Sequence, residues 1–142
     1  MRSVWDNIDD PKYRDGENSL RLPYIYPGKF RLQVDKISHY PSKKNPREEW
    51  FRVDFTILEG AKNGVDRVAW VVNLTKNDYG LRDIVAFVSA LMGEETAINR
   101  ATMEQLEGPQ QPAAGLIVDC EAYNKKTESG GDFTQVSWKA VD

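Results

Sequence analysis

The sequence has few of the residues that build chemical sites in proteins. It contains one cysteine, Cys120, and one histidine, His39. A lone cysteine excludes an internal disulfide, and no zinc-ligand spacing is present. The acidic pairs at residues 9–10 and 94–95 have no supporting ligands nearby, and the glycines at 130–131 lack the lysine and hydroxyl residue of a phosphate-binding loop. We therefore expect no enzyme activity, no cofactor and no bound metal.

Long apolar runs are also missing. No stretch approaches 18 apolar residues, and no signal-peptide pattern is found. Together with the single cysteine, this predicts a protein of the reducing cytoplasm with no membrane partner. The hydrophobic fraction of 40% includes fifteen aromatic residues, which is too high for a disordered chain. A length of 142 residues fits one folded domain.

Five stretches alternate apolar and polar residues with the period of two that predicts half-buried strands. They lie at residues 29–40, 49–59, 67–75, 116–122 and 134–140. In the first strand the alternation slips between Val34 and Ile37, which indicates a bulge. Apolar residues recur at helical spacing over residues 79–92, after a capping residue and before Gly93. A shorter helical turn is predicted at residues 102–105.

The order of three strands, one amphipathic helix and two strands is that of the oligonucleotide/oligosaccharide-binding fold, the OB-fold. The sequence therefore predicts a mainly β protein, with a five-stranded OB-fold barrel over residues 29–142. Residues 1–28 show no sustained period and are predicted to form an irregular N-terminal arm. Because the arm is rich in aromatic residues, we expect it to pack on the domain or on a neighbouring subunit.

Positive charge is concentrated in residues 29–76, which hold ten Lys or Arg against six Asp or Glu, whereas residues 77–121 hold two against eight. A polyanion should approach the first segment and avoid the second, unless these charges are an ordinary solvated surface. OB-folds bind ligands on the outer face of strands two and three and on the loops after strands one and four. Both of those loops carry lysines here. The predicted DNA-binding residues are Tyr40, Lys43, Lys44, Arg47, Trp50, Arg52, Arg67, Lys125, Lys126 and Phe133.

Some of these side chains keep a second interpretation. Trp50 either stacks on bases or packs against the arm, and a core or hinge role is equally open for Tyr40 and Phe133. Trp70 and Trp138 alternate with valines and are predicted to lie in the core. The same aromatic platform would accept RNA as well as single-stranded DNA.

Six stretches contain mostly turn glycines and core apolar residues: residues 27–30, 50–55, 66–70, 85–88, 115–118 and 133–138. They resemble motifs of small bacteriophage proteins with single-stranded-DNA-binding OB-folds, and the resemblance spans roughly residues 1–142. The resemblance implies nonspecific binding of single-stranded DNA in phage DNA replication or recombination. It also implies replication or recombination proteins as partners and the host bacterial cytoplasm as location.

A second hypothesis uses the same barrel without DNA. The protein would then be a structural or adaptor module that holds a protein partner, with the aromatic arm docking on another subunit. The aromatic residues of the arm favour this alternative, and self-association through the arm is compatible with either function.

Overall fold

The alternating stretches form strands, and the segment between the third and fourth forms helices. The computed structural model describes residues 22–41, 47–74, 79–126 and 132–141. Its elements are β1 (Gly28–Pro41), β2 (Glu49–Glu59), β3 (Arg67–Asn73), α1 (Tyr79–Met92), α2 (Arg100–Leu106), β4 (Ile117–Lys126) and β5 (Asp132–Lys139). The predicted bounds of β2 and α1 are confirmed. The predicted helical turn is a full second helix, α2, capped by Asn99.

The five strands form one antiparallel sheet in the order β3-β2-β1-β4-β5. β1 is the central strand and has two partners. Its first half, residues 28–33, pairs with β4, and residues 31–41 pair with β2. The register with β2 shifts between Arg31 and Leu32 and again between Val34 and Lys36, so the predicted bulge is confirmed. Such bulges bend a strand and let it serve two neighbours.

The prediction of a barrel was wrong, because the sheet does not close on itself. Within the described residues β3 and β5 are the two edges of the sheet, and no ladder joins them. The edge of β3 pairs instead with the chain that precedes β1. The backbone N–H of Ile25 donates to the carbonyl of Ala69 at 2.9 Å, and Ala69 donates to the carbonyl of Pro23 at 2.9 Å. These hydrogen bonds occupy the groups of β3 that a closing strand would need.

Aromatic rings fill the space between the two edge strands. The ring centroid of Trp138 lies 4.8 Å from that of Trp70 and 4.8 Å from that of Phe87, and Phe55 adds a contact at 5.6 Å. Trp70 is buried and Trp138 is partly buried against the core, as predicted. Ile25 also lies in this core, with 1% of its surface exposed. The predicted boundary between arm and domain at residue 28 stays a prediction.

The helices cover the core side of the sheet. α1 packs on β3, β4 and β5, and Gly80 permits a close approach because a Cβ there would lie 2.6 Å from the carbonyl oxygen of Asn73. After α2, the side-chain amide of Gln111 donates to the carbonyl of Ile37 and accepts from its N–H, at 2.8 and 2.7 Å. Gln111 thus pairs with β1 beyond the end of its ladder with β4. None of the described helices is long and apolar enough to cross a membrane.

Candidate nucleic-acid interface

The side of the sheet away from the helices, which we call the outer face, carries the polar half of each alternation. Along β2 the core positions Phe51, Val53 and Phe55 are almost fully buried. The residues between them point to the opposite side, because successive side chains of a strand alternate. The outer face therefore holds Trp50 and the residues that pair with it on the two neighbouring strands, Tyr40 of β1 and Asn73 of β3. All predicted DNA-binding residues that the structure describes lie on this face or at its ends.

Two aromatic residues lie directly opposite each other at one end of this face. The register pairs Tyr40 of β1 with Trp50 of β2. Tyr40 is 37% exposed, and Trp50 is partly exposed. Arg47, also exposed, lies just before β2. Lys43 and Lys44 fall in residues 42–46, outside the described residues. We call Tyr40, Trp50 and Arg47 the aromatic end.

Arg52 does not occupy the exposed position that the alternation predicted. It is 9% exposed, and its Nε donates to Oδ1 of Asp54 at 2.6 Å. Asp54 is 3% exposed, so both members of the ion pair are buried. A guanidinium held in this way is badly placed for a phosphate of a passing strand, and we leave Arg52 out of the proposed surface.

Arg67 lies at an exposed position and forms an ion pair with Asp35. Its Nη2 is 3.7 Å from Oδ2 of Asp35, and the same carboxylate oxygen accepts a hydrogen bond of 2.7 Å from the hydroxyl of Thr56. Lys36 of β1, which is exposed on the same face opposite Asp54, was missed by the sequence prediction. Its signal was the bulge, which moves residue 36 to the outer face.

The two lysines of the second loop lie at the other end of β1. The β1 ladder with β4 ends where Gly28 pairs with Ala122, and Lys125 and Lys126 follow beyond that pair. Lys125 pairs with Phe133, whose side chain lies outside the described residues. Both lysines are exposed.

Two further lysines, both missed by the sequence prediction, lie at this end of β1. Lys29 follows Gly28 directly, and Lys62 places its Nζ 3.5 Å from the carbonyl of Pro27. The loop of Lys62 reaches β1 because Gly60, at φ 99°, has no Cβ to overlap the carbonyl of Lys29. We call Lys29, Lys62, Lys125 and Lys126 the lysine end.

The aromatic end and the lysine end are separated by the length of β1. The strand has 14 residues, which at about 3.3 Å per residue corresponds to roughly 40 Å along its course. β2 and β4 both run antiparallel to β1, so the loop that follows β1 and the loop that follows β4 leave from opposite ends of it. The register therefore does not support the expectation that the two loops meet beside one short furrow. A shared ligand would have to follow β1.

A shallow groove of about 510 Å³ lies on the outer face next to the lysine end. Its walls are a ladder of opposite charges, in which Lys29 pairs with Glu121 and Arg31 pairs with Asp119 across the two strands. Arg31 donates to both carboxylate oxygens of Asp119, at 2.9 and 3.2 Å, and this hydrogen bonding holds the pKa of Asp119 below its usual value. Arg31 and Asp119, which line the groove, are thus already paired with each other.

The residues considered for chemistry have structural partners. The His39 ring lies between two carboxylates, with Nε2 3.4 Å from Glu49 and Nδ1 3.2 Å from Glu107. Burial raises the pKa of the Cys120 thiol to about 12, so the thiolate that reactivity requires is disfavoured. Across the described ranges no group of three or more His, Cys, Asp or Glu side chains is arranged to hold a metal ion.

A scan against protein-family models found no matching family, and a search of curated proteins found no match. The outer face carries two aromatic side chains at one end and ammonium groups at the other. Such a surface can bind a flexible polyanion that carries flat rings.

Proposed function

We propose that this protein binds single-stranded DNA without sequence preference along the outer face of its sheet. The strand order β3-β2-β1-β4-β5, with helices between β3 and β4, supports an OB-fold that is open between β3 and β5. OB-folds are described as partly open barrels, so an open seam is compatible with this assignment.

The cross-strand pair of Tyr40 and Trp50 is the observation that carries the proposal. Both rings lie on the side of the sheet that the core does not use, at adjacent positions of neighbouring strands. A base stacked on such a ring gains about 1–3 kcal/mol whatever its identity. Directly opposite residues have Cβ atoms about 5 Å apart, so both rings are within reach of neighbouring bases of one strand.

Charge supports the same surface. The lysine end holds four exposed lysines, of which Lys29 and Lys125 alternate to the outer face, while the segment of residues 77–121, which contains both helices, is acidic. A polyanion would therefore be drawn to the sheet and repelled from the helices. We assign the rings to bases and the lysines to phosphates, with Lys36 and Arg67 between them.

In this function the protein would coat exposed single strands during phage DNA replication or recombination, and it would act with replication or recombination proteins. Binding of this kind requires no catalytic group. The residues of the outer face would then contact only the phosphates and the bases of the DNA strand.

A titration with a fluorescently labelled oligo(dT) tests the proposal directly. Affinity should fall steeply with salt, because each phosphate contact releases a bound cation. The intrinsic tryptophan emission should be quenched as Trp50 stacks on bases. If the anisotropy does not change and the tryptophan emission is not quenched at low salt, the proposal is wrong. An oligo(rU) of equal length in parallel reports the preference between DNA and RNA.

The adaptor alternative gives a different outcome in the same samples. Removing residues 1–21 leaves the segment from Pro23 to Ile25 that pairs with β3. If the shortened protein loses an assembled state while the full chain shows no affinity for oligo(dT), the adaptor function is favoured over DNA binding.

A further inference from the structure

The part of the outer face between the aromatic end and the lysine end carries as many acidic as basic side chains. The register and the ion pairs place eight charged residues there, which we call the balanced middle: Arg31, Lys36, Arg52 and Arg67 with Asp35, Asp54, Glu59 and Asp119. Their formal charges sum to zero. A phosphate that enters the balanced middle meets as many carboxylates as cations, so this part of the face offers it no net attraction.

Most basic groups of the balanced middle already have a carboxylate beside them. Three of the four lie within 4.0 Å of an acidic side chain of the same set. The Arg52–Asp54 pair is buried, and a phosphate could reach Arg52 only by displacing a carboxylate that would itself be left without its partner. The fourth basic group, Lys36, lies opposite Asp54 in the register.

The lysine end differs from the balanced middle in this respect. Lys29 and Lys125 are exposed and alternate to the outer face. Among the described residues neither lysine forms an ion pair, whereas Arg31, two residues after Lys29, is paired with Asp119. A phosphate at the lysine end therefore needs to displace no carboxylate from these two lysines.

We propose that the protein holds one DNA strand at two separate places and uses the nucleotides between them mainly as a tether. The inference rests on the proposed function and specifies its ligand. The rings of Tyr40 and Trp50 stack on bases at one place, and Lys29 and Lys125 contact phosphates at the other. The two attachments reinforce each other, because once one is made the second has an effective concentration of about millimolar.

A defined class of ligand follows from this division. Bases are needed only where the strand passes the aromatic end, and phosphates matter most where it passes the lysine end. The protein should therefore accept a single strand that has lost its bases outside the aromatic end. Such partly abasic strands would be rejected by a surface that stacks bases along its whole length.

The span between the two places sets a minimum length for the ligand. β1 has 14 residues, so a strand that reaches both ends covers roughly 40 Å. At the stacked spacing of about 3.4 Å per nucleotide this requires about twelve nucleotides, and an unstacked strand needs fewer. Four nucleotides are too short, because even at about twice the stacked spacing they cover less than about 30 Å.

An oligo(dT) length series with the full chain at low salt is the first part of the test. Four nucleotides should bind at least about a hundredfold more weakly than the shortest oligonucleotide with full affinity, because they reach only one end. In that shortest ligand the central nucleotides are then replaced by an uncharged glycol spacer of equal reach. The spacer should change the dissociation constant by less than about threefold, since a tether only has to span the two places.

Two isomers of the same ligand form the second part of the test, with abasic sugars in either the 5′ half or the 3′ half. One isomer should bind like the intact ligand, and the other about 5- to 150-fold more weakly because it cannot stack bases at the aromatic end while its phosphates reach the lysine end. Trp50→Ala should reduce the difference between the isomers, and Trp50→Phe should keep it. Tyr123→Ala, at the lysine end, is the matched control and should also keep it.

The outcomes separate this inference from the proposed function. If the native protein binds none of these oligonucleotides at low salt, the proposed function is wrong and the inference falls with it. If the intact ligand binds but the two isomers have equal affinities, DNA binding stands and the two-place inference is overturned. A spacer that weakens binding as much as the unfavourable abasic half would overturn it as well, because the nucleotides of the middle would then be bound.

Discussion

The two ends of β1 offer different kinds of contact. At the aromatic end β1 pairs with β2, and Tyr40 and Trp50 supply rings. At the lysine end it pairs with β4, and lysines on three separate segments supply ammonium groups beside the exposed ring of Tyr123. Stacking is largely insensitive to salt, whereas phosphate contacts are not. Substitutions at the two ends should therefore weaken DNA binding in ways that the salt dependence distinguishes.

Ion pairs lie between the aromatic end and the lysine end. The outer face between them carries two Arg–Asp pairs, of which Arg52–Asp54 is buried and Arg31–Asp119 is partly exposed. If these pairs hold the sheet together, the ligand contacts lie at the ends. If they instead open to bind ligand, the distinction between the ends disappears.

The largest expected effect comes from removing the buried carboxylate. Asp54→Ala takes the carboxylate away from the buried Arg52 guanidinium, and breaking such a pair costs about 3 kcal/mol or more of the free energy of unfolding. Urea unfolding measures the change. Glu104→Ala, which breaks an exposed pair with Arg100 on α2, is the control and should leave the midpoint unchanged. Equal midpoints for the two variants would show that the Arg52–Asp54 pair does not hold the sheet.

Trp50→Ala should have the next largest effect, on DNA affinity. Losing one stacked base costs about 1–3 kcal/mol, or roughly 5- to 150-fold in the dissociation constant. Trp50→Phe should keep most of the affinity. Tyr123→Ala is the matched control at the lysine end, because Tyr123 is 41% exposed and precedes Lys125. Oligo(dT) anisotropy at fixed salt measures all three, and an equal loss for Tyr123→Ala would erase the contrast between the ends.

Periodicity explains which parts of the fold could be predicted. Strand β2 and helix α1 have long, regular apolar patterns, and their predicted bounds agree with the structure. The bulge in β1 was visible as a slip in the same pattern. Closure of the barrel was not visible, because it depends on which segment reaches the edge of β3. That segment, Pro23 to Ile25, has no period and lies far from β3 in sequence.

The site was predicted less completely than the fold. Strand alternation put Arg52 on the outer face correctly, but it does not reveal that Asp54, two residues away, lies on the same side and pairs with it. Lys62 was missed because its position depends on how closely the β2–β3 loop approaches β1. The burial of Arg52 and the position of Lys62 both depend on tertiary packing. The alternation pattern of one strand gives no information about that packing.

Substitutions at the lysine end should lower the DNA affinity less than Trp50→Ala does, and their effect should depend on salt. For single strands each phosphate contact adds about 0.7 to the slope of log K against log salt. The double variant Lys125→Ala/Lys126→Ala should therefore lower that slope by about 1.4 if both lysines contact phosphates, whereas Trp50→Ala should leave it unchanged. Titrations at several ionic strengths give the slope. Lys139→Ala, on the neighbouring strand, is the control, and a slope that stays unchanged in the double variant would remove its lysines from the DNA path.

The smallest effect concerns the Arg31–Asp119 pair, which joins β1 to β4. The hydrogen bond from Arg31 lowers the pKa of Asp119 in the folded state, so the folded protein binds the proton less readily than the unfolded chain. Stability from this group is therefore fully present above the unfolded pKa of about 3.9 and is lost as pH falls through the lower folded value.

Asp119→Asn removes this titration, so the native protein should lose more stability than the variant between neutral pH and about pH 3. The difference should stay below about 1 kcal/mol, because water reaches both side chains. Urea midpoints at the two pH values measure it. Midpoints that fall equally in both proteins would contradict the assignment. A loss of stability as large as that caused by Asp54→Ala would mean that the Arg31–Asp119 pair stabilises the sheet as much as the Arg52–Asp54 pair. The greater burial of the Arg52–Asp54 pair would then not explain its contribution.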